Sequence, residues 1–226
     1  MASVTVENYL KHIFVVAEAK GASQVPMGEI ARALQVTPGT ATTMVKTLAR
    51  QGLLDYEPRG GATLTPNGRD LALKILRRHR LIEFFLVDKL QMDWREIHAE
   101  AERLEHAVSD RLLERLDAYL GHPQFDPHGD PIPGANGQLA ARPLRQLAAA
   151  ATGEVVRIAR LGDDDSEFLD FAARAGLMPG RRWRVTARDT QAACVTLDAL
   201  DVPNDQTTPT LTLALAAAER ISIEAS

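Results

Sequence analysis

Residues 121–138, GHPQFDPHGDPIPGANGQ, hold four prolines and four glycines in eighteen positions. Proline removes a backbone donor and glycine adds backbone freedom, so no regular element can run through such a stretch. It divides the 226-residue chain in two. Before it, apolar residues recur at helical spacing; after it, they fall in short runs with strand character. A chain so divided has room for more than one compact unit with its own core. The stretch itself reads as a linker. The fold class is α+β.

The first sixty-five residues have a recognisable order. VTVENYLKHIFVVAEAKG places Val6, Leu10, Ile13, Phe14 and Ala17 on one helical face. PMGEIARALQV gives a second, shorter helix with Ile30, Ala31 and Leu34 inward. Thr37-Pro38 is an N-cap and first-turn proline for a third helix, with Ala41, Val45 and Leu48 inward. LLDYEPRGGATLT then reads as two strands around a tight turn. Three helices followed by a hairpin is the order of a winged helix-turn-helix. The outer face of the third helix is rich in threonine, a weak helix former, so propensity does not explain it. Threonine hydroxyls reach phosphates and the methyl contacts thymine. The candidate DNA-facing set is Thr37, Pro38, Gly39, Thr40, Thr42, Thr43, Lys46 and Arg50, with Arg59 at the wing tip. Simple solvation of those threonines is the competing reading.

A long helix is expected over about 66–90 and another over about 94–120, the latter opened by Asp93 and Glu96 in a capping-box pattern. HAEAERLEH, residues 98–106, puts His98, Glu102, Glu105 and His106 at i, i+4, i+7 and i+8, on one face. His79 and Glu83 repeat the i, i+4 pairing on the preceding helix. Imidazole nitrogens with carboxylate oxygens suit Mn²⁺, Fe²⁺, Co²⁺ or Zn²⁺. Surface ion pairing with neighbouring arginines is the alternative for any single pair; six such groups in phase on two helices favour metal. After residue 147, EVVRIARL, RRWRVTAR, ACVTLDAL, LTLALA and RISIE read as strands with SEFLDFAARAGL as a helix, which suggests a small barrel.

The formal net charge is −4, but residues 1–77 carry +3 and the remainder −7. A mildly basic N-terminal unit permits nucleic-acid contact. Cys194 is the sole cysteine, which excludes an internal disulfide and a thiolate zinc cluster. No apolar run is long enough to span a membrane, and the N-terminus lacks the pattern of a signal peptide. A cytoplasmic location is the expectation.

ENYLKHIFVV, IARALQVTPGTATTMVKTLARQGLL, LTPNGRDLALKILRRHRLIEFFL, HAEAERLEHAVSD and HGDPIPG, spread in order over residues 5–134, resemble the diphtheria toxin repressor family of metal-dependent regulators, in its manganese-responsive branch. GLMPGRRWRV resembles the SH3-like domain of its longer members. The resemblance implies a winged helix-turn-helix over 1–65, a helical dimerisation and metal-binding domain over 66–121, a linker over 122–147 and an SH3-like small β-barrel over 148–226. It implies a primary site of Asn8, Glu102, Glu105 and His106. It implies an ancillary site of His79, Glu83 and His98, completed by Asp164 and Glu167. Two ions per chain follow, Mn²⁺ or alternatively Fe²⁺.

Iron-responsive members carry a sulfur ligand where Glu102 stands, and the harder oxygen favours Mn²⁺. Lys11 stands where short two-domain manganese regulators place a glutamate ligand, which argues for separated sites rather than a closely bridged pair. The implied function is metal-dependent DNA binding, repressing metal uptake genes when loaded. Its partners are operator DNA and a second copy, with no membrane and no organic substrate. The apolar stripe Phe85, Leu86, Leu104, Val108, Leu112 and Leu116 is the expected dimer surface. Two other readings are a binuclear metal-dependent hydrolase and a metal-independent regulator sensing an organic ligand. The chain shows no nucleophile elbow or phosphate-cradling loop, and a hydrolase leaves the winged unit unexplained. An enzyme is therefore not expected.

Overall fold

The structure is a computed structural model and describes residues 3–94, 96–162, 166–201 and 209–225. The chain forms two compact units. One comprises Met1–Ile82, Ala99–His122 and Ile132–Leu139; the other comprises Glu83–His98, Pro123–Pro131 and Ala140–Ser226.

In the first unit, helix α1 (Val4–Lys20) is capped by Ser3, whose side chain accepts from the Val6 N–H. Its apolar face buries Leu10, Ile13 and Phe14. Strand β1 (Gln24–Val25) and helix α2 (Met27–Ala33) follow. Helix α3 (Pro38–Arg50) begins as the Thr37-Pro38 pair predicts: the Thr37 hydroxyl accepts from the Thr40 N–H at 3.2 Å. Ala41, Val45 and Leu48 are its buried stripe. Strands β2 (Leu54–Glu57) and β3 (Gly61–Leu64) form the wing. The hairpin is joined by β1 in a three-stranded sheet of order β1-β3-β2, a strand that two residues are too few to announce by period. Leu10, Ile13, Phe14, Ile30, Val45 and Leu48 belong to one core. Each such side chain contributes about 1.5–3 kcal/mol on leaving water. The position of α1 and that of α3 are therefore fixed together.

Helix α4 (Pro66–Asp88) runs close to the expected span. The expected single helix over 94–120 is two: α5 (Ile97–Leu104) and α6 (Asp110–Tyr119). The first stops at Leu104, and Ser109 caps the second, its side chain accepting from the Leu112 N–H at 3.3 Å. Leu81, Leu113 and Ile132 form a small separate core, with Val108 and Leu116 against it. Leu104, Leu112 and Tyr119 are exposed, whereas Leu86 is buried, so only part of the expected apolar stripe is open.

In the second unit, strands β4 (Arg145–Gln146), β5 (Val155–Leu161), β6 (Arg182–Asp189), β7 (Cys194–Ala199), β8 (Thr210–Ala214) and β9 (Ile221–Ala225) form one antiparallel sheet. Its order is β4-β9-β5-β6-β7-β8. Register shifts between Ile158 and Arg160 and between Val185 and Ala187 mark bulges, which curve a sheet. Helices α7 (Ser166–Arg174) and α8 (Leu215–Ala218) complete it. Trp183, Val185, Val195 and Leu197 lie in its core. The proline-rich stretch is not a bare linker, since Asp126, His128, Asp130 and Ile132 within it are buried.

Gly61 shows how tightly the wing is built. Its φ is +135°, and a Cβ there would lie 2.2 Å from the Val25 carbonyl oxygen. Gly61→Ala is expected to cost on the order of 2–4 kcal/mol, read as a lower urea midpoint at unchanged slope.

Candidate metal centres

In the first unit, α1, α4 and the end of α5 bring charged groups into one buried cluster. Backbone bonding carries the helical path past Leu104, because the Glu105 N–H donates to the Ala101 carbonyl at 2.9 Å. Glu102 and Glu105 therefore keep the spacing expected of one face. Glu105 is fully buried and Lys11 is 4% exposed. The Lys11 Nζ donates to Glu102 Oε1 at 2.5 Å and to both Glu105 oxygens at 2.7 and 2.9 Å. His79 Nδ1 lies 2.6 Å from Glu105 Oε2. One ligand atom from each of His79, Glu102 and Glu105 lies within 4.8 Å of the others. His106 Nδ1 lies 2.6 Å from Glu7 Oε2.

Two polar atoms stand out, one in this cluster and one on α1 in the residue after Glu7. Asn8 Oδ1 and His106 Nε2 are buried and have no hydrogen-bond partner. His106 Nε2 is 3.3 Å from Glu105 Oε1, an ion-pair distance that does not meet hydrogen-bond geometry. Buried polar atoms are paired in the great majority of cases, so two such orphans need a cause. Oxygen and imidazole nitrogen atoms held without partners among carboxylates are the donor set of a hard-to-borderline divalent ion.

Burial acts to raise the Glu102 carboxyl, but the Lys11 charge and hydrogen bond, with His79 and His12 behind them, hold it below the usual carboxylate range. Burial pushes the His12 imidazole down, against its bond to the Asn8 carbonyl at 2.9 Å.

A second cluster lies wholly within the second unit. Glu83 comes from α4, and Asp126 and His128 from the proline-rich stretch; all three are buried, with ligand atoms within 4.8 Å of one another. His128 is fully buried, and neither of its ring nitrogens has a hydrogen-bond partner. Its ring stacks on Trp94 with centroids 5.2 Å apart. The loop is held rigidly. Asp126 Oδ1 accepts from the His128 and Asp130 amides, both at 2.9 Å. The His128 carbonyl accepts from the Leu161 N–H on β5 at 2.9 Å, and Asp130 accepts from Arg160 at 3.0 Å. Gly129 has φ +92°, and a Cβ there would lie 1.9 Å from the Ala159 carbonyl oxygen. His98 Nδ1 lies 3.1 Å from Glu83 Oε1.

Of the residues expected to bind metal, Glu102, Glu105 and His106 thus fall in one cluster, and His79 lies with their carboxylates; Asn8 follows Glu7 on α1 with its Oδ1 buried. Glu83 and His98 are paired in the second unit. Glu167 lies exposed in the first turn of α7, and Asp164 is outside the described residues. Glu7, Asp126 and His128 were not expected. Glu7 sits beside Asn8, and DPHGD repeats a chelating pattern inside a stretch whose prolines and glycines suggested only a linker.

On α3 the outward threonines bond back to their own helix. Thr42, Thr43 and Thr47 donate to the carbonyls of Pro38, Gly39 and Thr43 at 2.7, 3.0 and 3.1 Å. Arg50 donates to the Thr47 hydroxyl at 3.1 Å, and Arg59 holds a φ of +73° at the wing tip. These residues line an exposed face with the positive charge and hydroxyl acceptors suited to a phosphate backbone.

The comparisons agree with this architecture. Residues 1–62 match the sequence-family model of the iron dependent repressor N-terminal DNA binding domain. Residues 65–134 match that of the iron dependent repressor metal binding and dimerisation domain. The chain is 37% identical to the iron-dependent repressor IdeR of Mycobacterium leprae over 157 residues, 70% of this chain and 66% of that one. It is 33% identical to IdeR of Mycobacterium tuberculosis H37Rv over 216 residues, 85% and 87% of the two chains. A solved manganese-dependent transcriptional repressor in complex with manganese is 42% identical, covering 98% of this chain and 100% of that one, with a TM-score of 0.87.

A winged unit followed by helices carrying clustered carboxylates and imidazoles defines a metal-responsive DNA-binding regulator. The chain belongs to the diphtheria toxin repressor family, in its manganese-responsive branch. That family is one of transcriptional repressors, not enzymes.

The Lys11 pairing predicts a measurable cost in the metal-free protein. Glu105→Gln leaves a buried ammonium facing one carboxylate instead of two. It is expected to lower stability by roughly 2–4 kcal/mol in urea titrations with a chelator present.

Proposed function

We propose that this chain is a repressor that binds operator DNA as a homodimer when loaded with Mn²⁺, with Fe²⁺ as the alternative ion, and that it holds two ions per chain. The observation that carries this reading is the orphaned, buried His106 Nε2, 3.3 Å from Glu105 Oε1, with the Asn8 Oδ1 on α1 orphaned likewise. We assign Asn8, Glu102, Glu105 and His106 to the regulatory centre, with His79 joining them through Glu105. We assign Glu83, Asp126 and His128 to a second centre, with His98 against Glu83 and Glu167 and Asp164 as further acidic candidates. Residues 1–65 read DNA, 66–121 dimerise and hold metal, and 148–226 support the second centre. Mn²⁺ is favoured because every donor is oxygen or imidazole and none is sulfur, and because a 42% identical solved relative is in complex with manganese.

When bound, the ion supplies shared positive charge and directional ligation to groups from α1 and from the end of α5. Asn8 then fixes α1 against Glu102, Glu105 and His106. Through Leu10, Ile13 and Phe14, α1 shares a core with Val45 and Leu48 of α3, so its position sets that of the recognition helix. In a dimer, two such helices must meet major grooves about one turn, ~34 Å, apart. Thr37, Pro38, Gly39, Thr40, Thr42, Thr43, Lys46 and Arg50 face the duplex, and Arg59 reaches toward the minor groove. The coupling is reciprocal: DNA must tighten metal binding by the same factor by which metal tightens DNA binding. The exposed Leu104, Leu112 and Tyr119 are assigned to the dimer surface.

The test is fluorescence anisotropy of promoter DNA from the chain's own gene and from metal-transporter genes, at fixed salt, with chelator or with Mn²⁺, anaerobic Fe²⁺ or Zn²⁺. Binding is expected with Mn²⁺ and not with chelator. His106→Ala should raise the Mn²⁺ concentration at half-binding beyond the roughly 10–100-fold that outer-sphere changes cost, and His128→Ala should raise it less. Equal binding with chelator would sink the metal switch.

A further inference from the structure

The regulatory cluster already contains a cation. Lys11 is as deeply buried as a core residue, and its ammonium touches three carboxylate oxygens of Glu102 and Glu105, the closest at 2.5 Å. A divalent ion that uses those two carboxylates needs the same oxygens. In a buried site, two cations sharing them repel strongly, since low effective dielectric magnifies charge interactions at short range. Charge-assisted bonds of this length are also the strong ones, so releasing them opposes ion entry.

We infer that Lys11 is the resident counter-cation of this centre, and that metal uptake is an exchange of cations on Glu102 and Glu105. The inference rests on the reading of this cluster as a metal centre. Without the ion, Lys11 keeps the two carboxylates placed and compensated, so the centre does not open through repulsion. With the ion, the ammonium gives up at least part of its hold. Lys11 is thus a positioning residue that lowers metal affinity without being a ligand. Because it lies on α1, the exchange acts on the helix whose core also holds α3. The device sets the ion concentration at which the regulator responds.

The experiment uses the full chain. Mn²⁺ is titrated into wild type, Lys11→Met, Lys11→Gln, Lys11→Arg and Glu105→Gln, and free ion is read from the electron paramagnetic resonance signal of hexaaqua Mn²⁺. Thermal melts are recorded with chelator and with saturating Mn²⁺. Removing the charge in Lys11→Met should tighten one ion by at least about tenfold, the effect of removing one short-range repulsion. It should also lower the metal-free melting temperature and widen the gap between the metal-free and loaded melts. Lys11→Gln, which keeps an N–H donor without charge, should act in the same direction and carries the test if the methionine variant does not fold. Lys11→Arg should keep the wild-type affinity.

Unchanged or weaker binding in the uncharged variants, with binding lost in Glu105→Gln, would overturn the exchange and leave the metal centre standing. Tighter binding in Lys11→Arg as well would show that charge is not what opposes the ion, and would overturn it too. Unchanged binding in Glu105→Gln would remove the metal centre itself, and the exchange with it.

Discussion

The first unit depends on one polar contact, the ammonium of Lys11 against the carboxylates of Glu102 and Glu105. It closes 91 and 94 positions of chain. Hydrophobic burial can bring α1 and α5 together, but it is non-directional and does not distinguish one ion from another. A buried carboxylate such as Glu105 tolerates its site only if its charge is met, and the penalty for leaving it unmet is several kcal/mol. The sequence must therefore place cations or hydrogen-bond donors on every side of it. Lys11 comes from α1 and His79 from α4. Glu7 in turn engages His106. Metal sensitivity follows from this construction, because the groups that hold the helices in register are those an ion would recruit.

The two centres are built by different means. The regulatory one assembles side chains from elements far apart in sequence, held by ion pairs that an arriving cation can rearrange. The other depends on a short turn. One oxygen of Asp126 accepts two amides of the next four residues, and the His128 carbonyl is bonded to β5. Gly129 lets the chain pass where any side chain would strike the Ala159 carbonyl. A loop set this firmly presents His128 with little freedom to lose on binding, so an ion there adds stability more than motion. Rearrangeable bonds suit a switch and preorganised ones suit a staple, which is the physical ground for ranking the two centres.

Much of the first unit was legible in the chain. The periods of Leu10, Ile13 and Phe14 and of Ala41, Val45 and Leu48, with the Thr37-Pro38 start, define helices that pack as their patterns require. The face shared by Glu102 and Glu105 was legible too, because helical bonding continues through Glu105. The break between α5 and α6 was not inferred, although Ser109-Asp110 carries the cap that makes it. The metal-capable stripe ran through the helix end and masked it. Asp126 and His128 escaped for a different reason. Proline and glycine report that regular structure stops, not whether the irregular chain is buried. What buries this loop is β5 and Trp94, and neither is near it in sequence. The partners of Lys11 were equally out of reach, since local pattern carries no record of contacts ninety residues away.

Charge counting explains two departures from the family pattern together. Asn8 is neutral where a methionine or an aspartate is usual, and Lys11 is positive where short relatives place a glutamate. With the imidazoles counted as neutral, Glu7, Glu102 and Glu105 against Lys11 leave the cluster two positive charges short of balance. One divalent ion closes that deficit in a buried site where residual charge is costly. An aspartate at 8 and a glutamate at 11 would deepen the deficit by three and would demand a second ion. Both substitutions therefore push the same way, toward a centre that takes a single divalent cation and is close to neutral once it has done so. In the proposed two-ion reading, the second ion falls to Glu83, Asp126 and His128, the last with both ring nitrogens buried and unpartnered.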